Sequence, residues 1–386
     1  MSSLDVAYAR SQFPALTQPE TPYIFADNAG GSQCLSTVAS KITDYLLNTN
    51  VQLGADYSVS VTSTNRVKEG VEAAKELFNA SSVDEISFGS SSTMLAENLA
   101  RAIDKDVLDD EEFIVTGEHE ANGGPWKKLA ARRNLKINYW HATHIPTSPN
   151  NPYAVSLKVE DLLPLVTSKT RLVAFTACSN ILGSVVPVKE IVAALRSKAT
   201  ELGNRKIGTL IIASFRCTRC TVPIHQFCTP DRPHFRHLLH PSLIIFSKSI
   251  LSPTKSNQED KEESFKLIAA HEQELIKPLL EYLKSKELEE RGVRIVGDED
   301  VGPSRVPTIS FIVVGPNAKK SQDIVKVFDR KGNVGIRWGH FYAYTLVDTL
   351  DPKVDINDAV VRISLVHYNT VEEVNEIIEV LKEALA

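Results

Sequence analysis

The chain reads as an α/β protein with a large, mostly parallel sheet covered by helices on both faces and a smaller α/β unit after it. Three observations predict this. Short apolar segments rich in β-branched and aromatic residues recur between amphipathic stretches. Several of them are unbroken by polar positions, the pattern of strands buried on both faces. The last third opens with one long helical pattern and then crowds strands and helices into a short span. Alternation on this scale implies parallel strands joined by helical crossovers.

The predicted strands are EISFG (85–89), EEFIVTG (111–117), KINYW (136–140), RLVAFTA (171–177) and KIGTLIIA (206–213). Among the helices, STNRVKEGVEAAKELFN (63–79) sets Val67, Val71, Ala74 and Leu77 on one face. VKEIVAALRSKATEL (188–202) behaves the same way, and residues 264–286 predict a long helix. After it, RVPTISFIVVG, a helix, NVGIRWG, AVVRISLVHYNT and a last helix suggest three or four strands with helices on one face. NQEDKEESF (257–265) reads as a charged linker. The expected organisation is an N-terminal segment over 1–24 packing with the small domain, a large domain over 25–260 and a small domain over 261–386.

Composition narrows the function classes. The chain is 42% hydrophobic and 24% charged, ordinary for a soluble globular protein. A net charge of -5 offers no general attraction to nucleic acid or an anionic membrane. No apolar run approaches the roughly 20 residues of a membrane span. The opening MSSLDVAYARSQFPAL lacks the apolar core of a signal peptide. A cytoplasmic location is therefore expected. Five Cys do not suggest a disulfide scaffold.

Several segments look chemical. FADNAGGSQ (25–33) has a Gly pair that permits close approach to a ligand, or simply a turn before a helix. FGSSSTMLAENLARAI (88–103) ends a strand pattern in hydroxyls that open a helix, which makes an anion site or plain N-caps. TGEHEANGGPW (116–126) places His119 between two acids at a strand's C-terminal end, where α/β proteins bind ligands, although a lone His is often incidental. AFTACSNILGSVVPVKEI (174–191) ends another strand with Ser179, Asn180 and Gly183. Arg362 lies inside an apolar strand and needs an anionic partner, either a ligand carboxylate or an internal acid.

Taken together, these segments resemble the class V aminotransferase family in its cysteine desulfurase-like branch. These are pyridoxal 5′-phosphate enzymes of the type I transferase fold. The resemblance runs over about residues 13–210 and 265–385. It implies a small amino-acid substrate, a homodimer, and these roles. Asn28 and Ala29 belong to the entry loop near the substrate. Ser91, Ser92 and Thr93 match the cradle of the cofactor phosphate. His119, in EHEAN, matches the His that stacks on the pyridine ring. Asn180, in SNILG, matches the Asn that bonds the ring hydroxyl. Arg362 matches the Arg that holds the substrate carboxylate.

The chain departs from the family twice. The desulfurase pattern RxGxxC stands here as RWGHFY, with Tyr342 at the Cys position, so thiol-based sulfur transfer is not expected. Transamination, epimerisation or elimination needs no such thiol. The second departure is residues 211–264. The family's Asp that pairs with the pyridinium nitrogen should follow the strand TLIIA, but SFRCTRC stands there. The family's FSxxKxxGP is approximated only by FSKSILSP, which makes Lys248 the candidate for the Schiff-base Lys, two places early. The family's following stretch is missing.

Three readings of this segment remain open. Cys217, Cys220, His225 and Cys228 approach a zinc knuckle, but the last gap is too short. A rebuilt active site could use Lys248, if its loop restored the geometry. Alternatively, the segment is the product of a shifted frame or a misplaced exon boundary, leaving a defective, catalytically inactive chain. The abrupt change of composition at both ends fits this best. A reverse translation of RCTRCTVPIHQF in another frame can give LYALHRPHPPI, close to the family's YAPHR text. Sequencing the transcript across codons 205–265 is expected to show the missing Asp and Lys in another frame. A transcript encoding neither in any frame retires that reading.

Overall fold

A computed structural model describes residues 3–18, 22–204, 207–212 and 258–386. Among the described residues the large sheet holds four parallel strands, β1 (Glu112–Thr116), β2 (Lys136–Trp140), β3 (Thr170–Thr176) and β4 (Gly208–Ile212), in the order β2-β1-β3-β4. All five residues of β1 are buried, as its unbroken apolar pattern requires. Successive side chains serve opposite layers. Ile114, Val173 and Phe175 pack with Val188, Ile191, Val192 and Leu195 of the helix Val188–Glu201. Phe113, Val115, Leu172 and Ala174 face Trp126, Leu129 and Ala130 instead.

Two helices on that second face position the site. We label them α1 (Ser92–Ile103) and α2 (Glu120–Arg133). Lys128 pairs with Glu97 and Arg132 with Asp104, so the two helices run in the same direction. Their N-termini therefore lie at one end, the end at which the parallel strands finish.

The C-terminal unit is an antiparallel sheet of β5 (Val293–Val296), β6 (Thr308–Val313), β7 (Arg337–Gly339) and β8 (Val360–Ser364), in the order β7-β8-β6-β5. One face carries the helices Gln258–Leu283, Ser321–Lys331 and Val371–Ala384, with Phe311, Val361, Ile363, Leu279, Phe328 and Ile377 in their shared core. The other face meets the large sheet's loops, where Ile181 and Leu182 pack with Ile312, Val360 and Phe341. The N-terminal segment is tied to this unit by the Arg10–Glu373 ion pair at 2.8 Å and by Phe13 edge-on to Tyr368.

Two expectations are corrected. EISFG is not a strand. A 3-10 turn, Val83–Glu85, leads into irregular chain, and no strand among the described residues pairs with it. A strand's backbone groups need a neighbouring ladder, and local β propensity cannot supply one. The run read as a linker is helical, since the helix begins at Gln258. It holds good helix formers and neither Gly nor Pro, so nothing in it interrupts a helix.

The seam between the two sheets depends on Gly183. Its φ is +68°, and a Cβ there would lie 2.2 Å from the Thr308 carbonyl oxygen. The contact is zipped by Val306 N–H to the Gly183 carbonyl at 2.9 Å and by Ser310 Oγ to the Ile181 carbonyl at 2.7 Å. Left-handed backbone costs a non-glycine residue roughly 1–3 kcal/mol, and steric overlap adds to it. Gly183→Ala is expected to lower stability by about 3 kcal/mol or more in denaturant titrations, and a loss below about 1 kcal/mol contradicts this close approach.

Candidate active site

The entry loop follows a two-residue strand, Ile24–Phe25, that runs parallel to Val334–Gly335. Asn28 is buried beneath it. Its Nδ2 donates to the carbonyls of Phe25 at 2.6 Å and Ser364 at 3.0 Å and to Asn369 Oδ1 at 3.2 Å. Its Oδ1 accepts from the Tyr368 hydroxyl. The amide is thus spent on holding the loop. Ala29 N–H donates to Ser364 Oγ at 2.8 Å, and Ala29 lines a small cavity with Ser179, Asn180, Glu272, Thr308 and Val366.

Arg362 comes from β8 and is 1% exposed. Desolvating a guanidinium costs several kcal/mol unless its charge is matched and its protons are bonded. Asp27 supplies the charge, accepting from Nη2 at 2.6 Å. The Asn180 carbonyl accepts from Nη1 at 3.1 Å. The Phe341 ring lies under the guanidinium carbon at 3.7 Å, a cation–π contact. The anionic partner expected from the sequence is therefore an internal acid in this structure.

His119 and Asn180 come from adjacent strand ends. β1 and β3 are parallel neighbours, so the turns after Thr116 and Thr176 emerge side by side. A hydrogen bond joins them, from Ser179 Oγ to Glu118 Oε2 at 2.8 Å. His119 is half-buried, and its Nδ1 caps α2 by accepting from Ala121 N–H at 3.1 Å. Burial holds its pKa below the usual value, with Glu120 opposing and Arg362 adding to the effect, so the imidazole is neutral at pH 7. Its ring lies 5.6 Å from that of Tyr342. Phe341 and Tyr342 have φ of +48° and +61°, a strained backbone for aromatic residues. The turn is held by Asn180 Nδ2 on the Phe341 carbonyl at 2.8 Å and by Glu120 N–H on the Tyr342 carbonyl at 2.7 Å. Tyr342 itself is 65% exposed and stands over the site.

Ser91 N-caps α1, accepting from Met94 N–H at 3.2 Å. Ser91, Ser92 and Thr93 are exposed at the end of α1 that lies beside the His119 end of α2. His119, Asn180, Arg362, Asn28 and Ala29 are thus brought together, with the hydroxyls one helix away. Lys248, Cys217, Cys220, His225 and Cys228 lie outside the described residues. Sequence reasoning missed Asp27, Glu118, Phe341 and Asn122. For the first two the signal was an acid beside an already flagged residue, in ADN and GEHE. Asn122 is 2% exposed, and neither atom of its amide has a hydrogen-bond partner among the described residues.

The "Aminotransferase class-V" family model matches residues 24–201 and 261–377. The chain belongs to the class V aminotransferase family. An aminotransferase-like protein of Gibberella zeae is 38% identical, with 100% of this chain and 99% of that protein aligned. A cysteine desulfurase-like protein of Aspergillus flavus is 28% identical over 98% of this chain and 90% of its own length. In fold, the chain is similar to a cysteine desulfurase of Thermococcus onnurineus, with a TM-score of 0.75, 18% identity and 100% and 99% of the two chains covered. The fold is the pyridoxal-phosphate-dependent type I fold, and members of the family use that cofactor. The family match skips residues 202–260. The alignment to the Gibberella protein runs over 420 positions against 386 residues, so at least 34 of its positions face a gap in this chain.

The described residues fit the cofactor. Exposed hydroxyls at a helix N-terminus suit a phosphate, and a neutral imidazole offers a flat face. Asn180 Oδ1 is buried and has no hydrogen-bond partner among the described residues, which leaves an acceptor for a ring hydroxyl. The orphan amide of Asn122, in the first turn of α2, is the kind of buried polar group that a bound molecule satisfies.

Glu118 adds a pH dependence. Burial pushes its carboxyl up to about 7, against the Ser179 hydrogen bond that favours ionisation. A folded pKa above the unfolded value of 4.5 gives stability that is fully present below 4.5 and is lost as pH rises through about 7. The loss is on the order of 3 kcal/mol. Glu118→Gln is expected to remove this slope from denaturant melts run across pH 4.5–8, and an unchanged slope counts against a buried, protonated Glu118.

Proposed function

We propose that this chain binds pyridoxal phosphate and works at the α-carbon of a small amino acid, by transamination, epimerisation or elimination. The observation that carries this reading is the convergence of Arg362, His119 and Asn180 on one side of the strand ends. The hydroxyls of Ser91, Ser92 and Thr93, with the amides that open α1, would hold the phosphate. His119 would cover the ring face, and Asn180 would meet the ring hydroxyl. Bound pyridoxal phosphate supplies an electron sink for bonds at the α-carbon. Arg362 would orient that carbon by holding the amino acid's carboxylate, and Phe341 keeps the guanidinium plane fixed while it does so.

Tyr342 bears on the reaction type. A phenol oxygen cannot form the persulfide that a thiolate forms. The two cysteines among the described residues are Cys178, which is buried, and Cys34, which is exposed just after the entry loop in sequence. Neither stands at the family's thiol position. The kinship to desulfurases therefore supports a shared cradle and a different outcome.

The unmatched residues 202–260 favour a second reading, a chain that keeps the cradle without the chemistry. Adding pyridoxal phosphate to the purified chain separates the two. Catalytic competence predicts a visible absorbance band that survives gel filtration and is lost in Lys248→Ala. A chain that retains no band is the non-catalytic product. Where the band forms, Arg362→Gln is expected to weaken its response to L-alanine by roughly 10- to 100-fold, the worth of one charge-assisted contact.

A further inference from the structure

The geometry points to Asp27 as an internal stand-in for the substrate's carboxylate, which must leave Arg362 for Arg337 when an amino acid binds. This rests on the reading of Arg362 as the carboxylate receptor. Arg362 is 1% exposed while the Asp27 side chain is 22% exposed, so Asp27 sits on the side from which a ligand must come. It holds Nη2 at 2.6 Å, and Nη1 is turned to the Asn180 carbonyl at 3.1 Å. With its other face against Phe341, the guanidinium offers an incoming carboxylate the edge that Asp27 now occupies.

A second cation waits beside it. Arg337 Nε lies 3.5 Å from Asp27 Oδ2, and its side chain is 51% exposed. Both guanidinium carbons lie over the Phe341 ring, at 3.7 Å for Arg362 and 5.2 Å for Arg337. Their backbones are paired in register across β7 and β8. Among the described residues, two cations thus share this carboxylate, and a second carboxylate would give each cation its own. The neighbouring Glu120 does not compete, because it pairs with Lys127 at 3.1 Å. The loop is shaped for this acid. A Cβ at Gly30 would lie 2.5 Å from Asp27 Oδ2, so only glycine leaves the carboxylate its place.

The exchange makes Asp27 a specificity-determining residue. A ligand binds only if its carboxylate outcompetes one already tethered there, which disfavours neutral amines and weak acceptors.

Binding of L-alanine and of propionate to the cofactor-free chain, read by NMR chemical-shift perturbation, tests this. Asp27→Asn is expected to tighten both by at least tenfold, and Arg362→Gln in the Asp27→Asn background to abolish the gain. Gly30→Ala, which displaces the carboxylate without removing its charge, is expected to act in the same direction as Asp27→Asn. Arg337→Gln, an exposed change, is expected to weaken binding severalfold, because Asp27 then has nowhere to go. If Asp27→Asn fails to fold, the Gly30→Ala and Arg337→Gln results decide. Unchanged affinity in every folded variant overturns the proposal, as does a gain that persists without Arg362. No cofactor enters these measurements, so their outcome is separate from that of the absorbance test.

Discussion

A guanidinium buried in an apolar strand is the constraint around which this molecule is arranged. Arg362 sits in a strand whose neighbours Val360, Val361 and Ile363 are all buried, and its charge must be answered there. Each answer comes from a different part of the chain. Asp27 comes from the entry loop, the Asn180 carbonyl from the end of β3, and the Phe341 ring from the turn after β7. Satisfying one side chain therefore fixes how the large sheet's loops sit on the C-terminal sheet. The supports extend outward from it. Asn28 pins the loop that carries Asp27, through Ser364, Tyr368 and Asn369. Gly183 lets the turn that carries Asn180 reach β6. Asn180 in turn holds the strained Phe341–Tyr342 backbone against which Arg362 lies.

What the sequence disclosed follows from the range of each determinant. Strands β1 and β3 were legible because burial on both faces leaves an unbroken apolar run, a local signal. EISFG carried the same local signal and is no strand, because strand formation also needs a neighbour that composition does not reveal. The site behaves likewise. His119, Asn180 and Arg362 stood out as polar groups ending or interrupting apolar strands. Asp27 also follows an apolar run, but its role was not legible because its partner lies 335 positions away. Glu118 acquires its raised pKa only when the closed core desolvates it, against the opposing hydrogen bond from Ser179. Phe341 looked like an ordinary aromatic residue, and its role depends on a left-handed backbone that sequence pattern does not encode.

The position at which the chain leaves its family divides the site into two halves. Ligands in open α/β sheets lie beyond the carboxyl ends of neighbouring strands. β1 delivers Glu118 and His119, and β3 delivers Ser179 and Asn180. The next strand outward, β4, ends at Ile212, in register with Thr176. The departure begins immediately after it, where the resemblance requires the acid that keeps the cofactor ring electron-withdrawing. The residues proposed to hold the substrate's carboxylate come instead from before β4 or after residue 258. On the proposed reading, a change confined to the intervening text alters the bond-making chemistry and leaves the identity of those carboxylate-holding residues intact. Asp27, Asn180, Phe341 and Arg362 answer to one another across these two stretches, so the text of the proposed recognition site is separate in sequence from the text that would carry catalysis.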